Sequence, residues 1–136
     1  MHSEKIAFLF PYNGSGGEKS IPSPLLAYDC DEFPSEFEMH AGVFFVGLHH
    51  KKPYYLEVQI VRDENGGLYP VSAKRGLWLR LSDPKGHLND IAASVDLAMM
   101  KCKFDEPGSY CIHANLLLDQ EVIHENKAYF RVSKAI

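Results

Sequence analysis

Apolar and polar residues alternate along the last third of the chain. Beginning at Tyr110, every second side chain is apolar and those between are mostly polar, with Leu117 as the apolar exception: Tyr110, Ile112, Ala114, Leu116 and Leu118 against Cys111, His113, Asn115 and Asp119. A period of two residues indicates a β-strand with one face on a core and one in water. A second short strand, Tyr129–Val132, follows. This pattern is typical of an antiparallel β-sandwich.

Upstream segments extend the pattern. Tyr54–Arg62 places Leu56, Val58 and Ile60 on one face, and Gly76–Ser82 does the same with three leucines. Further strands are predicted at Lys5–Phe10, at Leu25–Tyr28 (or an ordered loop there) and at Leu68–Ala73, an edge strand because Pro70 cannot donate to a ladder. Turn residues separate them at Asn65-Gly66 and Asp83-Pro84-Lys85-Gly86.

Two segments need separate interpretation. Phe37–Leu48 lacks a polar face, which predicts a central strand buried on both sides. His87–Phe104 fits both periods: its apolar residues form a helical stripe or one face of a strand. We favour a strand from about Ser94, with a short helix around residues 88–100 as the alternative. The expected fold is an immunoglobulin-like sandwich of seven or eight strands in one domain, residues 1–136.

Composition narrows the class of protein. Apolar residues make up 46% of the 136, enough for a core, and the net charge is −4 with no long basic run. This argues against nucleic-acid binding. No apolar stretch is long enough to span a bilayer, so no membrane partner is expected. The N-terminus has no secretory signal pattern and the cysteine count is odd, which predicts a cytoplasmic protein.

Motifs for common chemistries are missing. Gly14–Ser20 resembles a phosphate loop, but Glu18 interrupts the Gly-Lys-Ser succession and Pro22 prevents a helix from following at once. No Gly-x-Ser-x-Gly, His-Glu-x-x-His or Cys-x-x-Cys pattern occurs. We therefore expect no catalytic residue, no metal ligand and no cofactor.

Cysteines and histidines leave one enzymatic alternative open. Cys102 and Cys111 flank the turn at Asp105–Gly108, so a tight hairpin would place them opposite each other; two free thiols are favoured over a disulfide. His113 lies two residues after Cys111 on the same strand face. A metal- or cysteine-dependent enzyme using His113 with Cys111 or His124 is the third-ranked function.

The segment Asp105-x-x-Gly108-x-Tyr110 resembles the tyrosine corner of immunoglobulin-like domains, in which a tyrosine hydroxyl bonds back to the backbone where the chain crosses between sheets. Together with the terminal Phe-Arg-Val, the last third is similar to small uncharacterised bacterial immunoglobulin-like β-sandwich proteins. The resemblance implies a fold and no activity. Cys111 follows Tyr110 directly, which departs from the antibody pattern.

Trp78 is the strongest candidate contact residue. Alternation puts it with Arg80 on the face opposite the leucines of its strand, where an exposed indole could serve a partner, although coverage by another segment is favoured. We expect a non-enzymatic binding or interaction module, with a protein partner or self-association through an edge strand. The alternative is a carbohydrate-like small ligand on Trp78. The acidic Asp29–Glu38 segment is a second candidate surface.

Overall fold

The computed structural model describes residues 2–12, 25–64, 67–82 and 89–136, without the side chain of Met100. These residues form nine β-strands: β1 Lys5–Tyr12, β2 Ala27–Cys30, β3 Ser35–Leu48, β4 Tyr54–Glu64, β5 Gly67–Pro70, β6 Arg75–Leu79, β7 Ile91–Phe104, β8 Gly108–Leu118 and β9 Glu121–Lys134. No described segment is a helix long and apolar enough to cross a membrane.

The strands form two sheets. One has the order β1-β3-β7, and the other the order β2-β9-β8-β4-β5 with β6 also paired to β4. Pairing is antiparallel except between β2 and β9. The first, second and fifth strands of an immunoglobulin sandwich share one sheet as β1, β3 and β7 do, and β9-β8-β4 matches its other sheet. The predicted fold class is confirmed, with nine strands among the described residues instead of seven or eight.

The core lies between the sheets. Every second residue of the long strands points into it, and Val43, Phe45, Leu56 and Ile112 are each 1% exposed or less. At one end, the rings of Phe104 and Tyr110 meet edge to face at 4.9 Å. Because one face of each strand is buried in this core, apolar residues occur at every second position in the sequence.

The tyrosine corner is present. The Tyr110 hydroxyl donates to the carbonyl of Glu106 at 2.5 Å, where the chain leaves β7 in one sheet and enters β8 in the other. The hairpin that would have set Cys102 opposite Cys111 is therefore wrong, and both thiols are free and buried. β7 and β8 are close in sequence but lie in different sheets, so they do not pair with each other.

Other predictions also change. β3 is central in its sheet but not buried on both sides, since Val46 is 41% exposed. The outer face of β3 is apolar because the Phe44 ring stacks there on the Phe8 ring of β1, with ring centroids 4.5 Å apart. The favoured strand is confirmed and begins at Ile91 rather than near Ser94, and the alternative helix around residues 88–100 is wrong, since β7 pairs with β3. The final strand is β9, longer than predicted and paired along β8.

Some turn predictions fall outside the described residues, namely Gly14–Ser20, Asn65-Gly66 and Asp83–Gly86. A polar turn follows Leu48, with Lys51 at φ 60°. Side chains also tie β1 to the second sheet: the Ile6 N–H donates to His124 Nδ1 at 2.9 Å, and the Asn126 amide donates to the Ile6 carbonyl at 3.0 Å. The site described next lies on the outer face of that second sheet.

Candidate functional site

An apolar row crosses the outer face of the six-stranded sheet. Four residues on neighbouring strands are paired in register: Trp78 with Tyr55, Tyr55 with Leu117, and Leu117 with Val122. Neighbouring strands lie about 4.8 Å apart, so the row spans about 14 Å. Trp78 is 69% exposed and Val122 is 55% exposed. The row is thus open to a partner at both ends.

The alternation of β6 presents Trp78 to solvent. Leu79 is buried and Leu77 packs against the core, so Trp78 between them must point outward. The indole meets the Tyr55 ring edge to face, with centroids 4.9 Å apart and an interplanar angle of 61°. A neighbouring ring limits the orientations that the exposed indole can adopt, which lowers the entropy that binding must remove.

Gly76 makes room for the Tyr55 ring. A Cβ built on Gly76 would fall 1.7 Å from the Tyr55 hydroxyl oxygen and 2.4 Å from the ring carbon that carries it. Any side chain at position 76 would therefore push the ring away from β6. The glycine holds Tyr55 in place by leaving the space over the strand empty.

These aromatic rings border a groove of about 500 Å³. Its lining combines apolar walls with an oxygen-rich rim: Pro53, Tyr55, Glu57, Trp78, Leu117, Asp119 and Gln120. None of these described lining residues is basic. An aromatic base with a few polar groups at the edge is the usual composition of a small-ligand site, and the carboxylates make it a poor site for an anion.

The β8–β9 turn carries two of the rim residues. Asp119 and Gln120 join the strands with φ angles of 52° and 69°. Two consecutive positive φ angles define a type I′ hairpin turn, where Asn and Gly are preferred. Gln120 pays a conformational cost there, and such strain is concentrated at functional positions. The turn brings both polar side chains to the groove.

Of the two predicted contact residues, Trp78 lines the groove and Arg80 does not. Trp78 is exposed and lines the groove, so the coverage that the sequence favoured is not seen among the described residues. Arg80 is exposed one residue beyond β6 and is not among the described lining residues. Tyr55, Glu57, Asp119 and Gln120 were missed as site residues. Leu117, the one apolar residue on the polar face of its strand, was the sequence feature that could have indicated this site.

The residues of the enzymatic alternative do not form a site. Burial raises the pKa of the Cys111 thiol to about 11, which disfavours the reactive thiolate. His113 makes a 2.9 Å hydrogen bond to Glu125 instead. The ring of His124 accepts the backbone N–H of Ile6, so its Nδ1 is occupied. Burial similarly raises the pKa of Cys102 to about 11.

In residues 2–12, 25–64, 67–82 and 89–136, no group of three or more His, Cys, Asp or Glu side chains could hold a metal ion. The acidic Asp29–Glu38 segment begins in β2, at the edge of the sheet opposite β6. It therefore contributes nothing to the groove beside Trp78.

A smaller cavity of about 260 Å³ lies beside Arg62 and Tyr110. Arg62 pairs with Glu64 at 3.0 Å and also contacts Glu106, and its guanidinium lies 5.9 Å from the centre of the Tyr110 ring. These contacts use the charge of Arg62 to hold the tyrosine corner. The groove beside Trp78 remains the better candidate for a ligand.

No family model and no curated protein matches this sequence. Among solved structures, the chain is similar to a bacterial adhesin from Mobiluncus mulieris that contains intramolecular disulfide, isopeptide and ester bond cross-links. The TM-score is 0.61 at 10% sequence identity, over 98% of this chain and 58% of the adhesin chain. This chain thus spans less than two thirds of the adhesin's length. The likeness supports the β-sandwich fold.

Proposed function

We propose that this chain is a non-enzymatic binding module whose ligand lies in the groove beside Trp78. One observation carries the proposal: an indole that is 69% exposed rests edge to face on Tyr55 at the mouth of a groove. Trp side chains are highly buried on average, so one this exposed is unusual, and Trp is enriched among the residues that dominate binding energy. The likeness to an adhesin is consistent with this class of function.

The rim chemistry favours a neutral, hydroxyl-rich ligand such as a carbohydrate. The apolar face of a sugar ring can pack on Trp78, while its hydroxyls donate to carboxylates or to the Gln120 amide oxygen. Glu57 and Asp119 supply those carboxylates at the groove. Hydrogen bonds to ionised acceptors are about twice as strong as neutral ones, so two of them would fix the ligand's orientation.

A protein partner is the second candidate, and the apolar row supports it. Beyond the groove the row continues through Leu117 to Val122, which is 55% exposed. A flat apolar strip about 14 Å long with a tryptophan at one end suits a protein surface better than a single sugar. The two candidates therefore differ in whether Val122 contributes to binding.

Trp78 is the only tryptophan in the chain, so its fluorescence reports directly on the groove. We would titrate a panel of neutral mono- and oligosaccharides and measure the emission shift. A hot-spot tryptophan is worth about 2 kcal/mol or more, so Trp78→Ala should weaken binding, followed by calorimetry, at least tenfold. Tyr129→Ala is the matched control, because Tyr129 is an exposed aromatic on the same face, about 20 Å along the sheet.

The outcomes separate the candidates. A ligand that binds Trp78→Ala as tightly as the parent would contradict the groove. A flat titration across the panel would refute the carbohydrate candidate. The protein-partner candidate then predicts that cross-linking to a purified partner is lost in both Trp78→Ala and Val122→Asp but kept in Tyr129→Ala.

A further inference from the structure

The free edges of the two sheets are protected unequally. β1 has Pro11 and a register shift between Ile6 and Phe8, β2 has four residues, and β5 ends in Pro70. β6 has five residues and begins with Arg75. Proline, bulges, positive charge and short length are the devices that prevent one sheet edge from pairing with another. In the described part of the chain, each of these four edge strands uses at least one of them.

β7 has such features only towards its ends: its register with β3 shifts between Ile91 and Ala93 and again between Met99 and Cys102, and Lys101 and Lys103 lie near the second shift. β7 is a fourteen-residue edge strand, and from Ile91 to Met99 it contains no Pro, Lys or Arg. Its one charge in that stretch is Asp96. Between the two register shifts, from Ala93 to Met99, the edge is regular and carries one charge, which makes it a template for strand addition.

Hydrogen bonds show which backbone groups of β7 face outward. The Arg75 guanidinium donates to the Ala98 carbonyl at 2.7 Å, so that carbonyl points away from β3. In an antiparallel strand the N–H and C=O of one residue point the same way, and the direction repeats every second residue. The pairing with β3 is regular from Met99 to Ala93, so Ser94 and Asp96 also face outward. The register shift between Ala93 and Ile91 places its extra residue on β3, so the alternation along β7 continues to Ala92.

The two halves of this edge differ. The second half is covered by the chain around β6, since Arg75 occupies the Ala98 carbonyl and the Lys103 N–H donates to the Val71 carbonyl at 3.4 Å. In the first half, the backbone groups of Ala92, Ser94 and Asp96 have no backbone partner among the residues that the structure describes. Within the described part of the chain, three alternate residues of β7 therefore present unpaired backbone groups along this edge.

We propose that two copies of this chain pair antiparallel through β7, about a two-fold axis at Ser94. Ser94 lies opposite Ser94 of the second copy, and Ala92 lies opposite its Asp96. Each directly opposed pair exchanges two backbone bonds, so the interface gains about six. The result is one continuous sheet in the order β1-β3-β7-β7-β3-β1.

Two features favour this register over the neighbouring ones: the charge of Asp96 and the hydrogen bond from Arg75 to the Ala98 carbonyl. A pairing centred on Asp96 would set two carboxylates opposite each other, which is destabilising. Moving the axis to Val95 would require the Ala98 carbonyl that Arg75 already occupies. Of these three registers, only the one centred on Ser94 uses the backbone groups of Ala92, Ser94 and Asp96 without either conflict.

Side chains on both faces fit the pairing. On the outer face Ala92 and Ser94 are small and exposed, so a second strand meets no bulky group. On the inner face Ala93 and Val95 are only partly buried, although they pack against the core. In this register Ala93 lies opposite Val95 of the second copy, and the new strand removes both from water.

Two substitutions with the same charge change test the register. Ser94→Lys puts two ammonium groups directly opposite each other, whereas Ala92→Lys puts each ammonium opposite Asp96 of the second copy. Both positions are exposed, so both variants should fold, and thermal unfolding checks this. Sedimentation velocity over a concentration series at low salt should show a dimer for the parent chain and for Ala92→Lys, and at least tenfold weaker association for Ser94→Lys.

Three results would overturn the proposal: a monomer at every concentration, a dimer that Ser94→Lys leaves unchanged, or equal weakening by both lysines. A monomer would direct the search to an extended peptide of another protein as the strand that adds to β7. None of these results bears on ligand binding at Trp78, which lies on the other sheet.

Discussion

Replacing Tyr54 by Phe should destabilise the folded protein by about 3 kcal/mol, because one hydroxyl joins two parts of the chain. It donates to the Glu4 carboxylate at 2.7 Å and accepts the backbone N–H of His49 at 2.9 Å. Tyr54 and Glu4 are each 1% exposed. The hydroxyl thereby links the segment before β1 to the turn between β3 and β4.

The magnitude follows from the two bonds. A hydrogen bond to a charged group contributes about 1.5–3 kcal/mol, and leaving a buried N–H without its acceptor costs about 1 kcal/mol more. Phe preserves the ring, so no cavity is added to the loss. Urea denaturation followed by far-UV circular dichroism measures the difference. Tyr55→Phe is the matched control, since the Tyr55 hydroxyl makes no hydrogen bond to the described residues, and it should change stability by less than about 0.5 kcal/mol.

The pH dependence gives a second, independent test. Burial tends to raise the pKa of Glu4, but the Tyr54 hydrogen bond, its own backbone N–H and the nearby His49 and Lys52 outweigh it, so the pKa is lowered. A carboxyl with a lowered pKa in the folded state contributes stability above its unfolded value near 4.5 and loses it as the pH falls through the folded value. In Tyr54→Phe the burial effect remains and the largest lowering effect is gone.

The difference in unfolding free energy between parent and Tyr54→Phe should therefore be greatest above about pH 4.5 and shrink in more acidic solution. Glu4→Gln should flatten this dependence, because it removes the titrating group. A difference below about 0.5 kcal/mol at neutral pH, or one that stays constant on acidification, would refute the linkage through Tyr54.

Two further substitutions test local features. Tyr110→Phe should cost about 1 kcal/mol of unfolding free energy, since it removes the bond to the Glu106 carbonyl and keeps the buried ring; no loss in urea denaturation would mean that the tyrosine corner is not stabilising. Gln120→Gly should raise stability by up to about 1 kcal/mol by relieving the positive φ of 69°, and should weaken any ligand of the groove by removing a rim side chain; a loss of stability would show that the turn is not strained.

Local alternation predicted most of the fold. The leucines of Gly76–Ser82 and the apolar residues of Tyr54–Arg62 point inward as expected, because each strand has one face on the core. The corner at Tyr110 was also predicted, since its hydrogen bond spans only four residues. Features that depend on short sequence separations can be read from the chain itself.

The failures depend on contacts between distant segments. Phe44 belongs to an apolar outer face because Phe8, far away in sequence, stacks on it. The strand favoured for β7 is confirmed, but its alanine-rich composition left a helix open, and only the pairing with β3 decides between them. The sequence did not predict that the chain crosses between the sheets after Phe104. The sheet that each strand joins depends on packing throughout the core.

The groove beside Trp78 was also predictable only in part. Exposure of Trp78 on the face opposite the leucines follows from a two-residue period. Its neighbours could not be identified, because Tyr55 and Leu117 reach Trp78 only through the register of three strands. Asp119 and Gln120 join the groove through a turn with positive φ angles, a conformation that Asp-Gln does not signal.

The most direct test of the binding groove is the backbone and indole N–H spectrum of ¹⁵N-labelled protein, recorded with and without saturating ligand. The single tryptophan gives one indole signal, which identifies itself. We predict that this signal shifts together with the backbone amides of Tyr55, Leu117 and Asp119, while that of Tyr129 stays in place. A ligand that binds, shifts other amides and leaves the indole of Trp78 unmoved would contradict the proposed site.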